Sequence, residues 1–151
     1  MRVKVIHNFD KIAQTLNDAS KNISNNVLAR INSPVFDNDV KKIVESEIDK
    51  LGFASRAEFL KRSFRFLATE VTASGLVYRI TSDSAHVARL SEGARPSALY
   101  TIGAKLRSDG LYSGVEPTGL MERIELQVQS LIYNEIQTAV ATALTQVGIK
   151  C

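Results

Sequence analysis

The C-terminal part of the chain constrains the fold most. Between Thr118 and Val147, the apolar residues Leu120, Ile124, Val128, Leu131, Ile132, Ile136, Ala139, Val140, Ala143, Leu144 and Val147 recur at three- and four-residue steps. That spacing puts them on one stripe of an α-helix of roughly eight turns, with Gly148 as its stop. A helix of this kind is stable only when something covers the stripe, so a second apolar surface has to exist. The other end of the chain carries a counterpart. Phe9, Ile12, Leu16, Ala19, Ile23 and Val27 align on one face of a helix reaching about Ile31, with Asn, Asp, Lys and Ser opposite. Asn17, Asn22, Asn25 and Asn26 are weak helix formers, so this helix also depends on packing.

Between these helices the pattern changes repeatedly. The N-terminal "RVKVIH" alternates at Val3 and Val5 like a short strand. Pro34 in "NSPVFDN" ends the first helix, because the residue before a proline is pushed out of helical angles. Asp37 or Asn38 then caps a second helix, with Val40, Ile43, Val44, Ile48 and Leu51 inward and Gly52 at the left-handed stop. Ser55 followed by Glu58 is a capping-box pattern for a short third helix through about Arg62.

The run "SFRFLATEVTASGLVYRITSD" holds two stretches rich in aromatic and β-branched residues around Gly75, and it predicts a β-hairpin. Leu76, Tyr78 and Ile80 share one face of the second strand. For the first strand the two faces compete, Phe64 and Phe66 on one and Leu67 and Val71 on the other. Asp83 or Ser84 caps a short helix, "AHVARL", that stops at Gly93. A tract from Ala94 to Gly119 follows Gly93, broken by Gly103, Gly110, Gly114 and Gly119 and by Pro96 and Pro117. Loops of this length tend to be binding arms or lids, and "SDG" within it predicts an excursion hairpin. With 151 residues, 44% hydrophobic and 23% charged, the chain can bury one core. The expected architecture is a single α+β domain over 1–151. In it a small antiparallel sheet is flanked by long N-terminal and C-terminal helices, and an extended loop or hairpin arm spans 94–119.

The residues for catalysis are sparse. His7 and His86 are the only imidazoles, and neither has a carboxylate or thiol at a ligand spacing. Ser84 and Ser91 lie near His86, but no nucleophile elbow and no third group to orient a base accompany them. Glu92 beside Gly93 and Arg95 reads as an ion pair tightening a loop. No glycine loop has phosphate-cradling spacing. The one cysteine, Cys151, allows neither an internal disulfide nor a thiolate metal cage. No cofactor or metal is expected, and no enzyme activity. No apolar run of about 18 residues is present, and the N-terminus turns polar too soon for a signal peptide, so a soluble chain without membrane contact is expected. The formal charge of +3 permits an acidic partner. Lys61, Arg62 and Arg65 lie beside Phe64 and Phe66, a basic hairpin with aromatics of the type that binds single strands, and Lys105 and Arg107 add positive charge to the arm. A small nucleic-acid-binding module is therefore the alternative function.

The layout resembles a known family. A long helix, then "FLKRSFRFLATEVTASGLVYRITSDSAHVARLSEGARP", then an arm and a closing helix is similar to the tailed-bacteriophage head-to-tail joining proteins of the minor-tail-protein-Z type, also called neck or tail-completion proteins. In that family a Leu-x-x-Ser-hydrophobic start of a strand leads through a hairpin into a short helix with an Ala-x-apolar-x-Glu motif and a glycine. Leu60, Ser63 and Phe64 match the first part; Ala88, Leu90, Glu92 and Gly93 approximate the second. The likeness covers about 56–96 in sequence and the remainder in layout. It departs where Gly93 directly follows Glu92, where Ala94 stands in place of a Thr, and where "EPTGLM" lacks an aromatic.

The resemblance implies a non-catalytic virion protein, made in the host cytoplasm and placed in the neck or tail region. It would form a homo-oligomeric ring of six or twelve copies between the portal or its adaptor and the tail tube or terminator, with genome DNA in the lumen. A tail terminator subunit, also a small α/β ring former, is the neighbouring possibility. The implied roles are Glu92 and Gly93 as the loop hinge and Arg95, Leu99, Tyr100, Ile102, Leu111 and Tyr112 as subunit contacts on the arm. Lys61, Arg62, Arg65, Lys105 and Arg107 would face DNA or an acidic partner.

Overall fold

The computed structural model describes residues 9–53, 56–72, 75–95, 104–105, 107–111, 113–146 and 148. Helices form where the apolar stripes predict them: α1 (Phe9–Ile31), α2 (Pro34–Asp49), α3 (Ala57–Arg62), α4 (Ala85–Glu92) and α5 (Leu120–Gln146). Strands β1 (Phe64–Thr72) and β2 (Gly75–Ser82) lie between α3 and α4. The class is the expected α+β, with five helices and one two-stranded antiparallel sheet among the described residues. The chain gathers into two compact units that interleave in sequence, Met1–Ser33 with Ile132–Cys151 and Pro34–Leu131, so α5 contributes its first turns to one and its later turns to the other.

In the first unit Ala19, Val27 and Ile31 of α1 are buried, as are Ala139 and Ala143 of α5. The spacing of each set keeps it on one helix face. Arg30 Nη1 reaches Glu135 Oε2 at 3.2 Å, with both side chains roughly a third exposed. A pair so open to solvent contributes under about 1 kcal/mol, so apolar burial does most of the holding. The side chains of Phe9, Ile12 and Leu16, and the short strand expected at Val3 and Val5, lie outside the described residues.

The second unit corrects two helix starts. α2 begins at Pro34 and not beyond a cap at Asp37 or Asn38. Proline lacks an N–H and has a helix-compatible φ, so it fits the first helical position, where the N–H has no intrahelical acceptor. One proline thus ends α1 and opens α2, and Ser33 Oγ closes the junction by donating to Arg30 O at 2.6 Å. Asp37 falls in the first turn, where the helix dipole favours an anion. The capping box expected at Ser55 does not sit at the start of α3. Ser55 is outside the described residues, and the N-cap position is Arg56, without a side-chain cap bond. The amides of Arg56 and Ala57 bond instead to Phe53 O, at 2.8 and 2.9 Å.

The hairpin resolves the competition between its faces. Phe64 pairs with Ser82, Phe66 with Ile80 and Leu67 with Arg79, but past a bulge between Leu67 and Glu70 the pairs are Glu70 with Val77 and Val71 with Leu76. One extra residue in β1 inverts the parity. Even positions of β1 oppose even positions of β2 before the bulge, and odd oppose even after it, so a strict alternation could not be read through this strand. Among the described side chains Phe64 is buried while Leu67 and Val77 are exposed. Tyr78 lies edge-on to Phe36 with ring centroids 5.2 Å apart, and its hydroxyl donates to Asp37 at 2.9 Å. Burial, and then that carboxylate, raise the Tyr78 phenol well above its ordinary pKa.

Ser63, the serine of the family-like Leu-x-x-Ser motif, joins α3 to the sheet. Its Oγ donates to Leu60 O at 2.7 Å and lies 2.8 Å from Ser82 Oγ, while its carbonyl accepts from Asp83 N at 3.0 Å. Of the two caps open to α4, the chain uses Ser84, whose Oγ accepts from His86 N at 3.3 Å. Ser84→Ala is expected to lose about 1 kcal/mol, read as a drop of roughly 3 °C in melting temperature by calorimetry.

Candidate interaction surface

The arm leaves α4 through a residue that has to be glycine. Gly93 has φ 85° and ψ 166°, a region closed to L side chains. A Cβ there would lie 3.0 Å from Val115 O and 3.1 Å from Pro117 Cδ, atoms that cannot easily move aside. The close approach has a structural purpose: Ala94 and Val115 form an antiparallel bridge with bonds of 2.9 and 2.8 Å, which closes the base of the arm. Val115 is buried.

Beyond the base, the hairpin expected around "SDG" forms. Ser113 N donates to Lys105 O at 2.8 Å and Arg107 N to Leu111 O at 2.8 Å. Leu111 N donates to Asp109 Oδ1 at 3.1 Å, an Asx-type contact that shapes the turn. The returning leg is tied to α4. Thr118 N and Oγ1 both donate to Leu90 O, at 2.8 and 2.6 Å, and Gly119 N donates to Ser91 O at 3.1 Å. Ser91 Oγ accepts from Met121 N at 3.1 Å. The last carbonyls of α4, which lack intrahelical partners, are thus satisfied by the segment entering α5, and an amide in the first turn of α5 by the Ser91 hydroxyl.

A buried charge secures the same root. Glu47 of α2 has no exposed surface. Its carboxylate accepts from Arg123 Nε at 2.7 Å and from Gln127 Nε2 at 2.6 Å, and it pairs with Lys50. Arg123 also donates to the carbonyl of Thr118. The bonds from Lys50 and then Arg123 outweigh burial and hold the Glu47 carboxyl at about 2, well below the ordinary carboxylate range. Arg123 thus couples the arm root to the core face of α2. The sequence pattern does not single out Glu47, Arg123 or Gln127, and it offers Ser91 only as a neighbour of His86 and Thr118 only as the start of the last helical segment. One signal for them existed: Glu47 interrupts the stripe between Val44 and Leu51, and Arg123 and Gln127 flank Ile124 and Val128 one turn apart.

The sequence candidates separate. At the hinge Glu92 is exposed, and Gly93 has the conformational role expected. On the arm Arg95 is exposed and Leu111 is 63% exposed, while Leu99, Tyr100, Ile102 and Tyr112 lie outside the described residues. The basic hairpin is largely neutralised. Lys61 Nζ lies 2.8 Å from Asp49 and 3.5 Å from Glu58, and the bond to Asp49 raises its pKa. Arg65 pairs with Asp83 at 3.2 Å and donates to the carbonyls of Arg62 and Phe64. Arg62 is exposed. Arg107 pairs with Asp109 at 3.0 Å, while Lys105 is exposed and forms no ion pair with another described residue.

His86 lies edge-on to Phe59, ring centroids 6.1 Å apart. Burial and then the neighbouring Arg89 and Arg56 lower its pKa. The hydroxyls of Ser84 and Ser91 both accept from helix amides.

Comparison with protein-family models, with characterised proteins and with solved structures finds no match to this chain. No helix among the described residues is long and apolar enough to cross a membrane.

Proposed function

We propose that this chain is a structural subunit of a tailed-phage virion, without a catalytic step of its own. It forms a ring of six or twelve copies that joins the portal or its adaptor to the tail tube or terminator. The observation that carries this reading is the arm: a hairpin clamped at both roots by hydrogen bonds and by the Glu47–Arg123 pair, with an apolar side chain, Leu111, in solvent at its far end. A clamped root loses little further entropy when the tip docks, which favours a contact made after folding. The family-like motif supports the reading through Ser63, which joins α3 to the hairpin from which α4 and the arm continue. Genome DNA would pass through the lumen, and the ion pairs on Lys61 and Arg65 make a phosphate-tracking role for the hairpin secondary.

The purified chain examined by native mass spectrometry and negative-stain electron microscopy is expected to give discrete closed rings. It is also expected to bind a portal or tail-tube preparation. A chain that stays monomeric at all concentrations and binds neither overturns the proposal.

A further inference from the structure

Beside the returning leg of the arm lies a cleft of about 600 Å³ whose lining includes Phe53, Leu90, Val115, Pro117, Lys105 and Glu116. Its walls mix apolar groups, Phe53 and Pro117 among them, with the polar Ser113 and Thr118, and it carries Lys105 and Glu116, which form no ion pair with another described residue. The hairpin tip presents the complementary set: exposed Leu111 flanked by Arg107 and Asp109, a pair 3.0 Å apart with 59% and 43% of the side chains exposed. We infer that the tip of one copy seats in the cleft of the next. Leu111 enters the apolar part, Arg107 faces Glu116 of the second copy, and Asp109 faces its Lys105.

The tip cannot fill the cleft of its own chain. Lys105, Ser113 and Val115 of the same hairpin form part of the cleft lining. The Arg107–Leu111 and Lys105–Ser113 hydrogen bonds hold Leu111 beyond that wall, out in solvent. A tip-to-cleft contact uses different surfaces on the two copies, so it repeats head to tail and closes a ring when the rotation per step allows. The inference rests on the ring-subunit reading and names the surface that receives the arm.

The test mixes two full-length variants. Leu111→Asp removes the tip and keeps the cleft; Lys105→Glu with Glu116→Lys reverses the cleft and keeps the tip. All three positions are exposed, so both variants are expected to fold, with circular dichroism as the check. By sedimentation velocity the wild-type chain is expected to assemble, and each variant alone to weaken assembly by at least about thirtyfold, the loss typical of an interface anchor. The equimolar mixture is expected to give a one-to-one dimer that does not grow, since only one tip and one cleft remain compatible. Wild-type assembly with either variant assembling normally, or with a mixture that stays monomeric, overturns the tip-to-cleft contact and leaves the ring reading standing. A monomeric wild-type chain removes the ring reading and the inference together.

Discussion

Arg123→Ala is expected to lower the free energy of unfolding by about 3 kcal/mol, the cost of leaving the buried Glu47 carboxylate short of a donor, although Arg123 itself is 39% exposed. The reason is asymmetric. Glu47 stays where it is, without exposed surface, and keeps only Lys50 and Gln127, of which Lys50 is 60% exposed and shared with water. The carbonyl of Thr118 loses a donor as well. Replacing both partners, Glu47→Leu with Arg123→Leu, is expected to come within about 1 kcal/mol of wild type, because an apolar pair leaves no charge stranded. Urea unfolding of the single and double variants gives both numbers; a single variant as stable as wild type would remove the Glu47–Arg123 pair from any account of the fold. The pH dependence follows in sign. Glu47 has a folded pKa depressed to about 2 from its ordinary 4.5, so its stabilisation is full above the ordinary carboxylate range and is lost as pH falls from there towards about 2. Arg123→Ala flattens that acid limb.

Gly93→Ala is expected to cost a similar amount, about 3 kcal/mol, by a different route. The backbone there has φ +85°, and the new Cβ would meet a carbonyl oxygen at 3.0 Å and a proline ring carbon at 3.1 Å, so strain and overpacking add. Gly110→Ala is the control. It too has positive φ, +78°, but has no atom within 4 Å of the added Cβ, and it is expected to cost about 1 kcal/mol for the left-handed angle alone. Hydrogen exchange locates the damage. In Gly93→Ala the amides of Ala94, Val115 and Thr118 lose protection while those in the middle of α2 keep theirs. Equal loss across both regions would mean that the arm root and the core unfold as one unit.

Periodicity made the helices legible because it reports a face: from Val40 onward the stripes fall on described helices, apart from Leu51, which follows the end of α2 at Asp49, and Val147, which lies outside the described residues. Glycine and proline marked the boundaries for reasons internal to one or two residues: Gly52 and Gly93 take positive φ, and Pro34 both ends and begins a helix. Where two distant segments had to meet, the sequence said little. The bulge that inverts the β1 register leaves no local mark, since an extra residue shows only against the partner strand. Glu47 interrupts an apolar stripe, but its partners Arg123 and Gln127, remote along the chain, appear only once the helices are packed. The same holds for the basic hairpin, where Lys61 and Arg65 read as a binding patch until Asp49 and Asp83 are in place.

By itself, then, the amino-acid order determined which segments are helix, strand and turn, because those choices depend on backbone angles and on side chains within a few positions of one another. Tertiary structure alone decided how the arm is rooted, which charges are spent internally and which remain at the cleft, because each depends on atoms brought within about 3 Å of one another from far along the chain.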